Sequence, residues 1–90
     1  MKTLKIKISG NVQGVTFRQF VKENADKLSI KGFVRNLDDG RVEVVAEGKD
    51  EGVNEILKIC EKGPKFASVK EIEFSELKNQ GFKDFKISYI

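Results

Sequence analysis

Leu4-Lys5-Ile6-Lys7-Ile8-Ser9-Gly10-Asn11-Val12-Gln13-Gly14-Val15-Thr16-Phe17-Arg18 changes its hydrophobic period across a glycine-punctuated loop. Before the loop, Leu4, Ile6 and Ile8 alternate with Lys5, Lys7 and Ser9, the pattern of a half-buried strand with one wet face. After it, Phe17, Phe20, Val21, Ala25 and Leu28 follow helical spacing. Thr16 is expected to cap this helix while Gln19 reaches back, a capping box, with Val15 and Phe20 as a hydrophobic staple. Gly32 is read as breaking the helical pattern. A strand that feeds a helix through such a loop is the opening of an α+β fold.

Working outward, residues 32–37 read as a second strand and Asp38-Asp39-Gly40 as a hairpin turn. Val42, Val44 and Ala46 alternate with Glu43, Val45 and Glu47 in a third strand that Gly48 ends. Asp50 is the expected N-cap of a second helix, with Val53, Ile56, Leu57 and Cys60 as its apolar stripe and Gly63-Pro64 as its stop. Residues 69–74 read as a fourth strand. Val69 falls out of phase with Ile72 and Phe74 there, which a bulge or bend would explain. Residues 78–81 read as a loop, and Phe85, Ile87 and Tyr89 alternate in a last strand. The order is β-α-β-β-α-β with an additional C-terminal strand. That order predicts a two-layer, ferredoxin-like α+β sandwich, two helices on one face of a mostly antiparallel sheet, the other face left to solvent. With no linker, repeat or low-complexity stretch, residues 1–90 are expected to form one domain.

The 17 basic and 14 acidic residues leave a net charge of +3, interspersed along the chain. This weak bias suits anionic small molecules and does not argue for nucleic acid. The chain has no histidine, which excludes histidine general-base chemistry, Ser-His-Asp triads and most zinc sites. The single cysteine, Cys60, cannot form an internal disulfide and sits where a buried inert thiol is expected. Neither a signal peptide nor a membrane-spanning apolar run is present, so a soluble cytoplasmic monomer is the expectation, with no membrane partner.

Arg18 falls in the first turn of the first helix, where the macrodipole disfavours a cation. An anion at the loop reverses that: loop amides, helix terminus and guanidinium would converge on one negative group. Arginine adds a planar fork able to grip two phosphate oxygens. The bland alternative is a tight turn with a surface arginine. The loop lacks the lysine and hydroxyl ending of a P-loop, which argues against a nucleoside triphosphate. Asn36, late in the second strand, is a second candidate if the sheet brings it near Arg18; otherwise it caps its own turn. Asp38 and Asp39 are better explained by turn chemistry than by a metal. Arg35 alternates to the face opposite Asn36 and reads as a solvated sheet residue.

Taken together, the segments from Ile8 to Arg18 and from Gly32 to Asn36, with Asp39-Gly40, Val42 and Gly48, resemble the acylphosphatase family. Pro64, Ala67, Val69, Phe85 and Ile87 are similar to its weaker C-terminal pattern, so the likeness spans nearly the whole chain. The resemblance implies a hydrolase that cleaves the carboxyl-phosphate bond of small acyl phosphates without a metal or other cofactor. It also implies a sheet with strand four beside strand one, then three, two and five. By position, Arg18 resembles the phosphate-binding arginine and Asn36 the asparagine that orients the attacking water. The amides of Val12, Gln13, Gly14, Val15, Thr16, Phe17 and Arg18 resemble the phosphate cradle, for which phosphate or sulfate would compete. Two positions depart from the pattern: Asn11 stands where relatives often have a basic residue, and Ser29 where many have glycine. Two other readings are a non-catalytic acyl or carbamoyl phosphate-binding module, and a single-stranded RNA-binding module. The latter rests on Lys31-Gly32-Phe33-Val34, which follows the first helix instead of lying on the third strand.

Overall fold

The computed structural model describes residues 1–89. Strands β1 (Lys2–Asn11), β2 (Lys31–Asn36), β3 (Val42–Gly48), β4 (Ser68–Leu77) and β5 (Phe85–Ser88) form one sheet in the order β4-β1-β3-β2-β5. Helices α1 (Val15–Lys27) and α2 (Asp50–Lys62) complete the ferredoxin-like α+β fold. All pairings are antiparallel except β2 with β5, which is parallel. The sheet order is the one the family resemblance implied. No helix among the described residues is long and apolar enough to cross a membrane.

The core lies between the helices and one face of the sheet. Leu4, Ile6 and Ile8 of β1 oppose Ala46, Val44 and Val42 of β3, which in turn oppose Gly32, Val34 and Asn36 of β2. Directly opposed residues share a face, so these rows all point toward the helices. Phe17, Val21 and Ala25 of α1 and Val53, Ile56 and Cys60 of α2 close over them, all buried. Burial pushes the Cys60 thiol up to about 12, which keeps it protonated and inert. Gly32 sits where β2 passes β3 so closely that a Cβ would lie 1.8 Å from the Val45 carbonyl oxygen. Its role is therefore close strand packing and not the ending of α1.

Several sequence expectations are corrected. Helix α1 begins at Val15 with Gly14 as N-cap, and no side chain caps it. Thr16 is already inside the first turn, so neither a capping box nor the Val15–Phe20 staple forms, and Val15 is exposed. Helix α2 likewise starts at Asp50 itself, with Lys49 as N-cap and no side-chain cap bond. Asp50 and Glu51 then favour the positive helix end from within the first turn. The fourth strand is longer than read, and the register shift opposite Ser9 and Gly10 accounts for Val69 falling out of phase.

The second sheet face is not uniformly wet. β3 is buried along its whole length. On its outer face the Glu47 carboxylate accepts hydrogen bonds from the Thr3 hydroxyl and the backbone N–H groups of Gln80, Gly81 and Phe82. The loop between β4 and β5 is thereby drawn across the sheet. Glu43, also buried, pairs with Arg35 at 2.8 Å, so Arg35 is an ion-pair partner and only half solvated.

Candidate active site

The chain leaves β1 at Asn11 and turns into α1 through Gly14, whose φ of 115° and ψ of 169° belong to a region that only glycine occupies without strain. A Cβ there would meet nothing within 4 Å, so the requirement is conformational and not one of space. With Gly14 as cap, the first N–H used inside the helix is that of Arg18. Among the described residues, none of the N–H groups of residues 12–17 donates to a backbone or side-chain acceptor. Of the amides from Val12 to Arg18 that the sequence offered as a cradle, those of Val12, Gln13, Gly14, Val15, Thr16 and Phe17 are left open, whereas that of Arg18 is used within the helix.

Side chains in α-helices lean toward the N-terminus, so a residue one turn into α1 reaches back over the loop. Arg18 does so, with Nε 3.4 Å from the Gly14 carbonyl oxygen and the guanidinium carbon 4.8 Å from the centroid of the Tyr89 ring. Only 8% of Arg18 is exposed, and no carboxylate pairs with it among the described residues. The surface-arginine reading is therefore wrong. A buried guanidinium is costly to fold unless an opposite charge or hydrogen-bond acceptors meet it.

Asn36 ends β2 in the row formed by Ile8, Val42 and Asn36, facing the helix layer. The parallel register pairs Val34 with Ile87 and Arg35 with Ser88, the last residue of β5. Tyr89 is in contact with Arg18, in the first turn of α1, and Asn36 stands in the helix-facing row at the end of β2. The Asn36 Oδ1 is buried and accepts no hydrogen bond among the described residues. Asn36 therefore does not cap its own turn through that oxygen.

The turn after Asn36 is tied to the loop. Gln13 Nε2 donates to the carbonyl oxygens of Leu37 at 2.8 Å and Arg41 at 3.2 Å. The Asp39 carboxylate accepts from the backbone and side chain of Arg41, and that side-chain bond holds its pKa below the ordinary carboxylate value. Asp39 is therefore a turn residue, as the sequence suggested. Sequence reasoning missed the side chains of Gln13 and Tyr89. The signal for Tyr89 was its phase with Phe85 and Ile87; Gln13 left none, because its partners are backbone carbonyls 24 and 28 residues away.

The family model for acylphosphatase matches residues 4–87. The acylphosphatase of Bacillus licheniformis is 46% identical over 90 residues, spanning 99% of this chain and all of that one. That of Thermotoga maritima is 43% identical over 89 residues, 99% of each chain. The crystal structure of acylphosphatase from Bacillus subtilis superposes with a TM-score of 0.93 at 39% identity, covering 99% of this chain and 100% of that one. Sequence and fold agree over nearly the full length of both partners, and the chain accordingly belongs to the acylphosphatase family of acyl phosphate hydrolases.

Proposed function

We propose that hydrolysis proceeds by in-line attack of water on the phosphoryl group, with Arg18 and the N–H groups of residues 12–17 holding its oxygens and Asn36 directing the water. The observation that carries this reading is Arg18: a buried guanidinium that pairs with no carboxylate among the described residues, beside N–H groups that no acceptor among those residues engages. Guanidinium and amides are complementary to the equatorial oxygens of a phosphoryl group, and phosphoryl transfer asks chiefly for positioning and charge stabilisation. Oδ1 of Asn36 accepts a hydrogen bond from the attacking water, which supplies the donor that this buried oxygen otherwise lacks.

An acyl phosphate needs little else. The departing carboxylate belongs to an acid of pKa ~4 and leaves unprotonated at neutral pH, so no general acid is required. A phosphoryl oxygen of the substrate takes the proton of the water, and histidine is dispensable. No metal enters these steps. The enzyme works as a monomer in this reading, because one chain contributes every group named, and its place is the cytoplasm. A carrier that bound acyl phosphate without turnover would share Arg18 and the loop but would have no use for Asn36 at this place.

The test is the loss of benzoyl phosphate absorbance with purified protein, with and without chelator. Equal rates in both, with competitive inhibition by phosphate or sulfate, support the mechanism. Hydrolysis abolished by the chelator overturns it.

A further inference from the structure

Arg41 holds the hairpin between β2 and β3 with its backbone and its side chain together. Its N–H donates to Asp39 Oδ1 at 3.1 Å, and its Nε and Nη2 reach Asp39 Oδ2 at 2.9 and 2.8 Å. Its Nη1 lies 3.5 Å from Glu73 Oε1 on β4. β1 runs between β3 and β4, so this side chain spans the strand that feeds the loop of residues 12–17. The Arg41 carbonyl oxygen accepts twice, from the Leu37 N–H at 2.7 Å and from Gln13 Nε2 at 3.2 Å.

These bonds meet where the two candidate groups join the scaffold. Val42, next to Arg41, pairs with Asn36 of β2 and with Ile8 of β1. Leu37, next to Asn36, is bonded through its N–H to Arg41 and through its carbonyl oxygen to Gln13. Gln13 itself belongs to the loop whose N–H groups stay open. The hairpin therefore sets how Asn36 stands relative to those amides, and Arg41 closes the hairpin. The side chains of Arg41 and Asp39 are 30% and 51% exposed, and an ion pair this wet adds little to stability. What it supplies is placement. A planar fork engaged by carboxylates on the turn and on β4 restricts the hairpin to a narrow range of positions.

We infer that Arg41 is a positioning residue for the hydrolysis: clamped by Asp39 and Glu73, it fixes the spacing between Asn36 and the amides of residues 12–17, with Gln13 as the link. The inference rests on the roles proposed above for Asn36 and the loop. A displaced hairpin leaves the phosphoryl-binding groups intact but moves the water relative to them, and in-line attack tolerates little of that. Loss of the clamp therefore falls on turnover and not on phosphate affinity. The Arg41 carbonyl survives a side-chain substitution, so what is lost is its placement and not the bond itself.

Benzoyl phosphate kinetics with phosphate as competitive inhibitor test this on single and double variants. Arg41→Ala should lower kcat at least about fivefold, keep the inhibition constant of phosphate within about twofold of the wild type, and melt within a few degrees of it. In a Gln13→Ala background the same substitution should cost kcat little more, because the two residues act through one junction. Losses that multiply in the double variant, a weakened phosphate affinity with unchanged kcat, or no loss from Arg41→Ala overturn the clamp. Should Arg41→Ala fail to fold, Arg41→Lys takes its place. The ammonium reaches one carboxylate but lacks the fork, and its kcat loss should likewise vanish beside Gln13→Ala. An unchanged kcat in Asn36→Ala would instead overturn the water-directing role on which the inference rests.

Discussion

The guanidinium of Arg18 lies over the ring of Tyr89, 4.8 Å from its centroid, although 71 positions separate them in sequence. One residue opens α1 and the other follows β5, an edge strand. A cation over an aromatic face gains electrostatically while keeping its N–H groups free. The ring thus fixes the fork without consuming the donors a phosphoryl group would need. That arrangement sets the first expectation.

Arg18→Ala should lower kcat/KM for benzoyl phosphate by about 10²–10³-fold, the scale of removing one oriented donor to developing charge. Arg18→Lys should be nearly as poor, since an ammonium lacks the planar fork. Phosphate at a hundred times its Kd should stabilise the wild type by ~2.7 kcal/mol and leave Arg18→Ala unmoved in thermal melts.

Asn36→Ala should depress kcat far more than it weakens phosphate binding, because the side chain is assigned to the water and not to the phosphoryl group. Steady-state kinetics with phosphate as competitive inhibitor separates the two. A defect confined to KM would contradict the role.

Gln13→Ala should reduce kcat/KM while leaving the melting temperature within a few degrees of the wild type. Its amide ties the loop to the carbonyls of Leu37 and Arg41, directly after Asn36. Losing that tie loosens the loop against Asn36, and misplaced groups cost rate more than stability.

Ser29→Gly should stabilise the protein. Ile30 N–H bonds to the Ala25 carbonyl and Ser29 N–H to that of Asp26, the paired bonds of a Schellman motif, with Ser29 at φ 56°. Serine in this left-handed position costs about 1 kcal/mol relative to glycine. For a domain of this size, relieving that cost raises the melting temperature by about 4–8 °C. Activity should not change, because Ser29 lies at the opposite end of α1 from Arg18.

Acid should unfold the protein in part through Glu47. Burial pushes its pKa up, but hydrogen bonds from Thr3 and from the Gln80, Phe82 and Gly81 N–H groups outweigh this and hold it below the ordinary 4.5. The folded state therefore binds the proton less readily than the unfolded one. The stabilisation is complete above pH 4.5 and is lost as pH falls through the lowered value. Glu47→Gln should flatten that acid limb in a series of melts. It should also destabilise at neutral pH by about 1–3 kcal/mol, because an amide cannot accept all of these bonds.

Much of the fold was legible because it is written in local periods. Alternation in β1 and the 3.6-residue stripes of α1 and α2 report which face each element buries, and burial of that face is what selects the fold. The helix start was misread because Thr16 and Gln19 satisfy a local capping pattern while Gly14 makes the turn two residues too early for it. The outer face of β3 was misread because what covers it, the loop carrying Phe82, is distant in sequence.

By itself the sequence determined the element order, the strand-to-helix loop and the two residue types, guanidinium and carboxamide, on which the proposed chemistry depends. Only the tertiary structure decided that Arg18 is buried with no carboxylate partner among the described residues, that Asn36 faces the helix layer, and that Tyr89 lies against Arg18. The reason is physical: periodicity encodes the face a residue occupies, but sheet order and register decide which distant residues share that face at the same end.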